Sequence, residues 1–399
     1  MQGTIRFLMV AITVVLTAGI VCADPQSIPN GPWVQPDQTV KLEALTSMEE
    51  LQNKLFNIYA RSKGRMAVEI AGETTYGYPI YLAKFGQADD EDKIKVLIEG
   101  QIHGGEPLGA EACLEVIKQL AASGNKEIDD ILEKLTIWII PRLNPEGATY
   151  EEDGELVQRR TNEQDWEPDE WGLDETAPPP WYQYGQYGWW DPPGYDINRD
   201  SHPDLDFVLG PANAHLLPGN SDLPGFFVTP EGRTVRDVYK ELRPDVFIDL
   251  HHRGTNLMSE EDIGMCTLQI LAQVVDLGRE DYPLDPDVLD FSKQINAYVY
   301  QRLNEMGNSP FTNIQRYPDV NLPGTTLGAF SLNGSAIMLY ELRTAKQKSN
   351  GMLTKQVIIG LMETFKGLAD GSIFDVDPAD YDEILPAGPR IGNPHAIAE

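Results

Sequence analysis

The chain reads as an α/β protein, a three-layer α/β/α domain around a mostly parallel, mixed central sheet. Two observations predict this. Four apolar, β-rich runs, Lys93–His103 (KIKVLIEGQIH), Leu135–Leu143 (LTIWIIPRL), Asp245–Leu250 (DVFIDL) and Ala336–Leu342 (AIMLYEL), lack the alternation of half-exposed strands and so need cover on both faces. Segments with helical apolar spacing separate them, and strands alternating with helices favour parallel pairing between two helical layers.

In chain order, Leu42–Ala60 has helical spacing, and Met66–Ile70 with Tyr78–Phe85 read as paired short strands. The strand Lys93–His103 is followed by a helix at Ala110–Ala122 and the strand Leu135–Leu143. A helix at Arg233–Leu242 leads into Asp245–Leu250, and a long helix at Val288–Met306 precedes Ala336–Leu342. The last helix is expected at Leu353–Leu368. No repeat of fixed period is present, so residues 24–375 are expected to form one catalytic-size domain. Two stretches depart from the pattern. Residues 162–194 are rich in Trp, Tyr, Pro and acids and are too long for an ordinary connection, so they read as a loop insertion placed to roof a site. Residues 376–399 form a Pro/Gly-rich tail.

With 31 basic and 62 acidic side chains among 399 residues, the net charge is -31. That surface repels phosphate backbones and anionic lipid headgroups, which argues against nucleic-acid and stable membrane partners. Residues 1–23 read as a signal peptide: after Arg6, the apolar run Phe7–Val21 is too short to span a bilayer, and Val21-Cys22-Ala23 supplies small cleavage residues. A secreted or periplasmic, monomeric enzyme is expected. Cys113 and Cys266 remain after cleavage; one disulfide is allowed and none is implied, and without a CxxC there is no thiolate zinc site.

The chemistry gathers at strand ends. His103-Gly104-Gly105-Glu106 follows the first buried strand, and an imidazole and a carboxylate three residues apart can close on one zinc ion. Zinc of the hydrolytic type commonly takes two His and one Glu, so a further His is needed. Of the six His, 202 and 215 lie in a loop-like segment and 395 in the tail, whereas His251 and His252 directly follow DVFIDL. Ligands converge beyond the carboxyl ends of strands in open α/β sheets, which makes His251 or His252 the natural partner.

Six motifs then occur in order: HGGE (103–106), PRLNPEG (141–147), QRRT (158–161), DINR (196–199), DLHH (249–252) and YELR (340–343). Together they resemble the zinc metallocarboxypeptidases of the carboxypeptidase A and B type. The resemblance implies a carboxypeptidase-like fold and one Zn²⁺ on His103, Glu106 and His251, with His252 the adjacent register. It implies Asp196 as the carboxylate that orients His103, and Asn198 and Arg199 as the clamp for a peptide's C-terminal carboxylate. Arg159 aligns with the arginine that polarises the scissile carbonyl, Arg160 being the one-residue alternative, and Glu341 with the general base. The closing tyrosine of that family falls near Asp319, where Tyr317 is at hand, and the position setting side-chain preference falls at Thr326. The expected partner is a peptide or peptide-like substrate with a free C-terminal carboxylate. The same scaffold also admits amide hydrolysis in cell-wall peptides or N-acyl amino acids, and a non-catalytic peptide binder is a further reading.

Overall fold

In a computed structural model, the described residues are 45–390 except 123, 184–193, 255, 263, 306–311 and 344–349. Residues 1–44, which include the segment 1–23 expected to be a signal peptide, and the last nine residues lie outside them. Among the described residues, ten strands and eight α-helices follow in order: α1 (Met48–Arg61), β1 (Ala67–Glu73), β2 (Pro79–Phe85), β3 (Ile94–Gly100), α2 (Leu108–Ala121), α3 (Lys126–Lys134), β4 (Leu135–Ile140), α4 (Pro145–Thr149), β5 (Glu151–Glu152), β6 (Glu155–Leu156), α5 (Pro230–Leu242), β7 (Val246–Arg253), β8 (Leu268–Leu271), α6 (Pro286–Glu305), β9 (Ile314–Arg316), α7 (Thr326–Ser331), β10 (Ala336–Arg343) and α8 (Asn350–Asp370).

Eight strands form one sheet in the order β1-β2-β4-β3-β7-β10-β8-β9, and β5-β6 make a small hairpin. Strands β4, β3, β7 and β10 run parallel at its centre, with β2 antiparallel to β4 and β8 antiparallel to β10. The expected mixed, mostly parallel sheet is therefore present. Period-2 alternation divides each central strand between two cores. Val96 and Ile98 of β3, Ile248 and Leu250 of β7, and Met338, Tyr340 and Leu342 of β10 pack under helices α1, α2, α3, α6 and α8. Leu97, Phe247, Ile337 and Leu339 point to the other face, against Val235, Val238, Tyr239 and Leu242 of α5 and Leu327 and Phe330 of α7.

This second face carries the polar residues. Continuing the alternation past Leu97, Phe247 and Leu339 leads to Glu99, to Asp249 and His251, and to Glu341. In register, Glu99 pairs with Asp249 and His251 with Glu341.

A third, smaller apolar cluster joins the described part of the aromatic insertion, through Leu173 and Tyr182, to Tyr195, Leu209 and Phe226. Asp200 ties it down: its carboxylate accepts from the Tyr182 hydroxyl at 2.7 Å and from the Val228 and Thr229 backbone N–H groups at 2.8 Å. The described part of the tail also packs inward, with Tyr381 and Ile384 in the main core. Cys113 in α2 and Cys266 are buried and free. No helix among the described residues is long and apolar enough to cross a membrane.

Candidate metal centre and active site

Three motifs interlock by backbone hydrogen bonds beyond the end of β3. Gln101 turns into the left-handed region (φ 55) and breaks the strand, swinging His103 across the sheet end. Gly105 N–H donates to the Arg159 carbonyl at 2.9 Å, and Arg159 N–H to the Gly147 carbonyl at 2.8 Å. A Cβ on Gly104 would sit 2.0 Å from the Gly147 carbonyl carbon, so only glycine permits this backbone approach. Asn144 caps α4, accepting from Gly147 N–H at 2.8 Å, and its amide nitrogen donates to the Arg160 carbonyl at 3.2 Å. HGGE, NPEG and QRRT are thus one packed unit.

His103, Glu106 and His251 meet at its centre. Each offers a ligand atom, and these lie within 4.8 Å of one another. The two Nδ1 atoms are 3.1 Å apart; His251 Nδ1 is 2.8 Å from Glu106 Oε2, and His103 Nδ1 is 3.0 Å from Glu106 Oε1. Tetrahedral zinc with bonds of about 2.0–2.2 Å places its ligand atoms about 3.3–3.6 Å apart, close to this spacing. The far side of each ring fits as well. His103 Nε2 lies 3.1 Å from Asp196 Oδ1, and His251 Nε2 lies 2.6 Å from Asp249 Oδ2. A carboxylate on the distal nitrogen directs the other nitrogen's lone pair to a metal, and both imidazoles have this arrangement. The donor set suits zinc.

Electrostatics agree. Burial alone would raise the Glu106 carboxyl, but the His103 and His251 rings hold it well below the usual carboxylate range. Burial likewise works to raise Asp196, which Arg160, His103 and Arg199 instead hold well below its ordinary value. Both acids are therefore acceptors at neutral pH.

His252 faces the opposite side of β7. Its Nε2 accepts from the Leu108 N–H at 3.1 Å, capping α2, whose N-cap residue Pro107 provides no side-chain cap. Its own backbone N–H donates to Glu106 Oε2 at 2.9 Å.

Glu341 is 9% exposed and lies across from His251. Burial pushes its carboxyl up to about 7; His251, Arg253 and Arg160 oppose the rise, while Glu106 adds to it. Its Oε2 is buried, with no hydrogen-bond partner among the described residues. Tyr317 is close enough to Glu341 for that carboxylate to help raise its hydroxyl, after burial, and the Arg253 guanidinium lies 4.5 Å over its ring.

The arginines differ from the sequence reading. Arg159, expected at the reacting carbonyl, stacks 3.9 Å over Tyr150 and donates to the Asn162 carbonyl at 3.1 Å. Successive side chains of an extended segment point opposite ways, and here the neighbouring Arg160 reaches the centre. Its Nε donates to Asp196 Oδ2 at 2.9 Å, and its Nη1 lies 3.7 Å from Glu106 Oε1. Asn198 puts its amide nitrogen 3.0 Å from His251 Nε2, and the adjacent Arg199 donates to the Asn198 carbonyl at 2.5 Å. Asp196, which begins this turn, also takes the Tyr182 carbonyl on its N–H at 3.1 Å, anchoring the aromatic insertion to it. Thr326, expected to set side-chain preference, has 0% exposure; its hydroxyl turns onto Glu99 at 2.5 Å and its N–H donates to Asn198 Oδ1 at 3.2 Å. It stands behind Asn198, facing another protein side chain.

Residues 52–310, well over half the chain, match the zinc carboxypeptidase family. The chain belongs to that family. The match takes in both imidazoles, Glu106 and the Asn198-Arg199 turn; Tyr317, Thr326 and Glu341 lie beyond it. Among curated zinc carboxypeptidase relatives, one from Saccharothrix mutabilis subsp. capreolus is 33% identical over 84 residues, 20% of this chain and 19% of its own length. Carboxypeptidase E of Caenorhabditis elegans is 27% identical over 166 residues, 40% of this chain and 30% of its own. The chain thus spans less than a third of these relatives. Among solved structures, carboxypeptidase A from Helicoverpa armigera aligns with a TM-score of 0.55 at 16% identity, covering 85% of this chain and 76% of that one. A metallo-carboxypeptidase from Burkholderia cenocepacia gives 0.52 at 16% identity, covering 81% and 69%. At such identities these likenesses establish the carboxypeptidase-like fold.

Sequence reasoning missed Glu99 and the role of Asp249. The signal was present: Glu99 is an isolated acid within the apolar run KVLIEG, and a buried carboxyl needs a reason. Burial, with Asp249 adding to it, pushes Glu99 well above the carboxylate range.

Proposed function

We propose that this chain is an exported zinc-dependent carboxypeptidase that removes the C-terminal residue of peptides. The observation carrying this reading is the convergence of His103, Glu106 and His251 with Glu341 on the adjoining strand. Zinc, when held by the two imidazoles and Glu106, supplies Lewis acidity toward a carbonyl and acidifies water. Glu341 takes a proton from the attacking water at its unpartnered Oε2 and returns it to the leaving amine, a role suited to a carboxyl pushed up to about 7. Arg160 is the guanidinium that steadies negative charge on the carbonyl oxygen. Asn198 and Arg199 hold the substrate's free carboxylate, Arg199 through a bidentate fork. Asp196 and Asp249 keep the two rings oriented. Export is supported by the apolar run Phe7–Val21 and the small residues after it.

The test uses the purified chain, stripped of metal, on paired peptides with free or amidated C-termini that vary in the last residue. Release of one terminal residue from the free peptides, dependent on added Zn²⁺, is the expected result. Equal cleavage of the amidated partners, or full activity in chelator, would overturn the reading.

A further inference from the structure

Past the metal centre, the site-facing side of β7 ends on a cation. Alternation puts Arg253 on the same side as Asp249 and His251, two residues or about 6.6 Å further along the strand. Arg253 is partly exposed; its Nη1 donates to the Gln269 side-chain oxygen and its guanidinium lies 4.5 Å over the Tyr317 ring. Gln269 is the register partner of Glu341 across β8 and β10, so these contacts hold the cation beside the expected base.

A second guanidinium arrives from the tail. Asn256 and Arg390 form an antiparallel bridge, Leu257 N–H donates to the Pro389 carbonyl at 2.9 Å, and the Asn256 amide nitrogen donates to the Gly388 carbonyl at 2.6 Å. This seats the exposed Arg390 over Gly254, the neighbour of Arg253. A Cβ at position 254 would lie 2.7 Å from Arg390 Nε and Nη2, so the glycine leaves the guanidinium its place. Among the described residues, neither Arg253 nor Arg390 has a carboxylate within ion-pairing distance. That is notable in a chain with 62 acidic side chains.

The course of a bound peptide follows from the two ends of the site. Asn198 lies 3.0 Å from His251 Nε2, the nitrogen that faces back toward Asp249, whereas Arg253 is displaced the other way along β7. A peptide with its free carboxylate at Asn198 and its last carbonyl at the metal ligands continues outward, toward Arg253 and Arg390. Successive side chains of an extended peptide point to opposite sides, so one of the two residues before the cleaved bond faces these guanidiniums. Their planar forks match a carboxylate. Acids elsewhere on the surface oppose an acidic peptide, but at physiological salt charges more than about 8 Å away are largely screened, so the contact pair decides.

We propose that Arg253 and Arg390 form a subsite for an acidic side chain at one of the two residues preceding the cleaved bond. This rests on the carboxypeptidase reading above and adds a substrate class to it, peptides with Asp or Glu close to the C-terminal residue.

The experiment measures kcat/KM of the zinc-loaded full chain on peptides that share one C-terminal residue and carry Glu, Gln or Lys at the penultimate position or at the one before it. At one of the two positions Glu is expected to exceed Gln by about tenfold, with Lys poorer still. Arg253→Met is expected to bring the Glu-to-Gln ratio to within about twofold, and Arg390→Met, which leaves β7 untouched, to lower it about threefold. The ratio is the readout because Arg253 stands beside Glu341, whose chemistry acts on both peptides alike. A wild-type ratio near one at both positions, or a ratio unchanged in either variant, overturns the proposal. Should Arg253→Met fail to fold, Arg390→Met carries the test. Calorimetric titration of the same peptides into the chain in chelator separates this proposal from the function it rests on. If no peptide is cut, the carboxypeptidase reading falls, while tighter binding of the Glu peptide, lost in Arg253→Met or Arg390→Met, upholds the subsite and equal binding of Glu and Gln peptides removes it.

Discussion

Glu341 stands directly opposite His251 in the parallel register of β7 and β10, so the expected base and an expected metal ligand are held by backbone pairing instead of by loops. Neighbouring parallel strands lie about 4.8 Å apart, which sets their separation before any side chain adjusts. Glu341 is not among the clustered ligand atoms. Glu341→Gln should therefore retain zinc at wild-type stoichiometry while kcat falls by about 10²–10⁴-fold, the range for a general base. Metal content and steady-state kinetics on the same preparation check this; near-normal turnover would remove Glu341 from the mechanism.

Arg160 and Arg159 separate a site role from a packing role. Arg160→Ala is expected to lower kcat by about 10²–10³-fold, as for loss of an oxyanion donor. Arg159→Ala, which removes a guanidinium stacked on Tyr150, should act mainly on the melting temperature. A reversed order of the two kcat losses would restore the alignment-based assignment.

Arg199→Lys should keep the charge and lose the planar fork. Charge-assisted hydrogen bonds contribute about 1.5–3 kcal/mol, so KM for free-carboxylate peptides should rise by about 10–100-fold with a smaller change in kcat. Kinetics with a matched series of terminal residues measure the split, and an unchanged KM would sink the clamp assignment.

Glu231 provides a pH test of stability remote from the metal ligands. Burial pushes its carboxyl up to about 8 from an ordinary value of 4.5, with Glu146 and Asp200 adding to the effect. Between those limits the folded protein holds a proton that the unfolded chain releases. Its stabilising contribution is thus fully present below about pH 4.5 and lost as the pH climbs through about 8. Glu231→Gln keeps an acceptor for the Asn162 amide, 3.1 Å away in the native protein, but carries no charge. Melting curves should show the variant more stable than wild type by a few kcal/mol at pH 9, and by far less at pH 4.5. A gain independent of pH would contradict the assigned shift.

The fold and most of the centre were legible because the central strands advertise themselves twice. Each is apolar throughout its covered length, then turns polar where side chains leave the core, and His251 and Glu341 mark those points. The short strands β8 and β9, four and three residues long, were not legible, since such lengths carry no measurable period. Helix α3 was missed because it buries only Ile128 and Ile131 within a charged sequence. The choice between Arg159 and Arg160 depends on which way one peptide unit faces, and that is decided by Gly147, Gly105 and Asn144 from other motifs. Thr326 was placed by counting along the chain, whereas its contacts with Glu99 and Asn198 come from two distant segments.

Cys113 and Cys266 lie in the interior with no bridge, and burial pushes both thiols upward, Cys266 to about 12. At neutral pH each remains an unreactive apolar filler. Neither oxidant nor disulfide isomerase is then required for these two positions to reach their native state, and the protein can be produced in a reducing bacterial cytosol without loss of any covalent restraint between them.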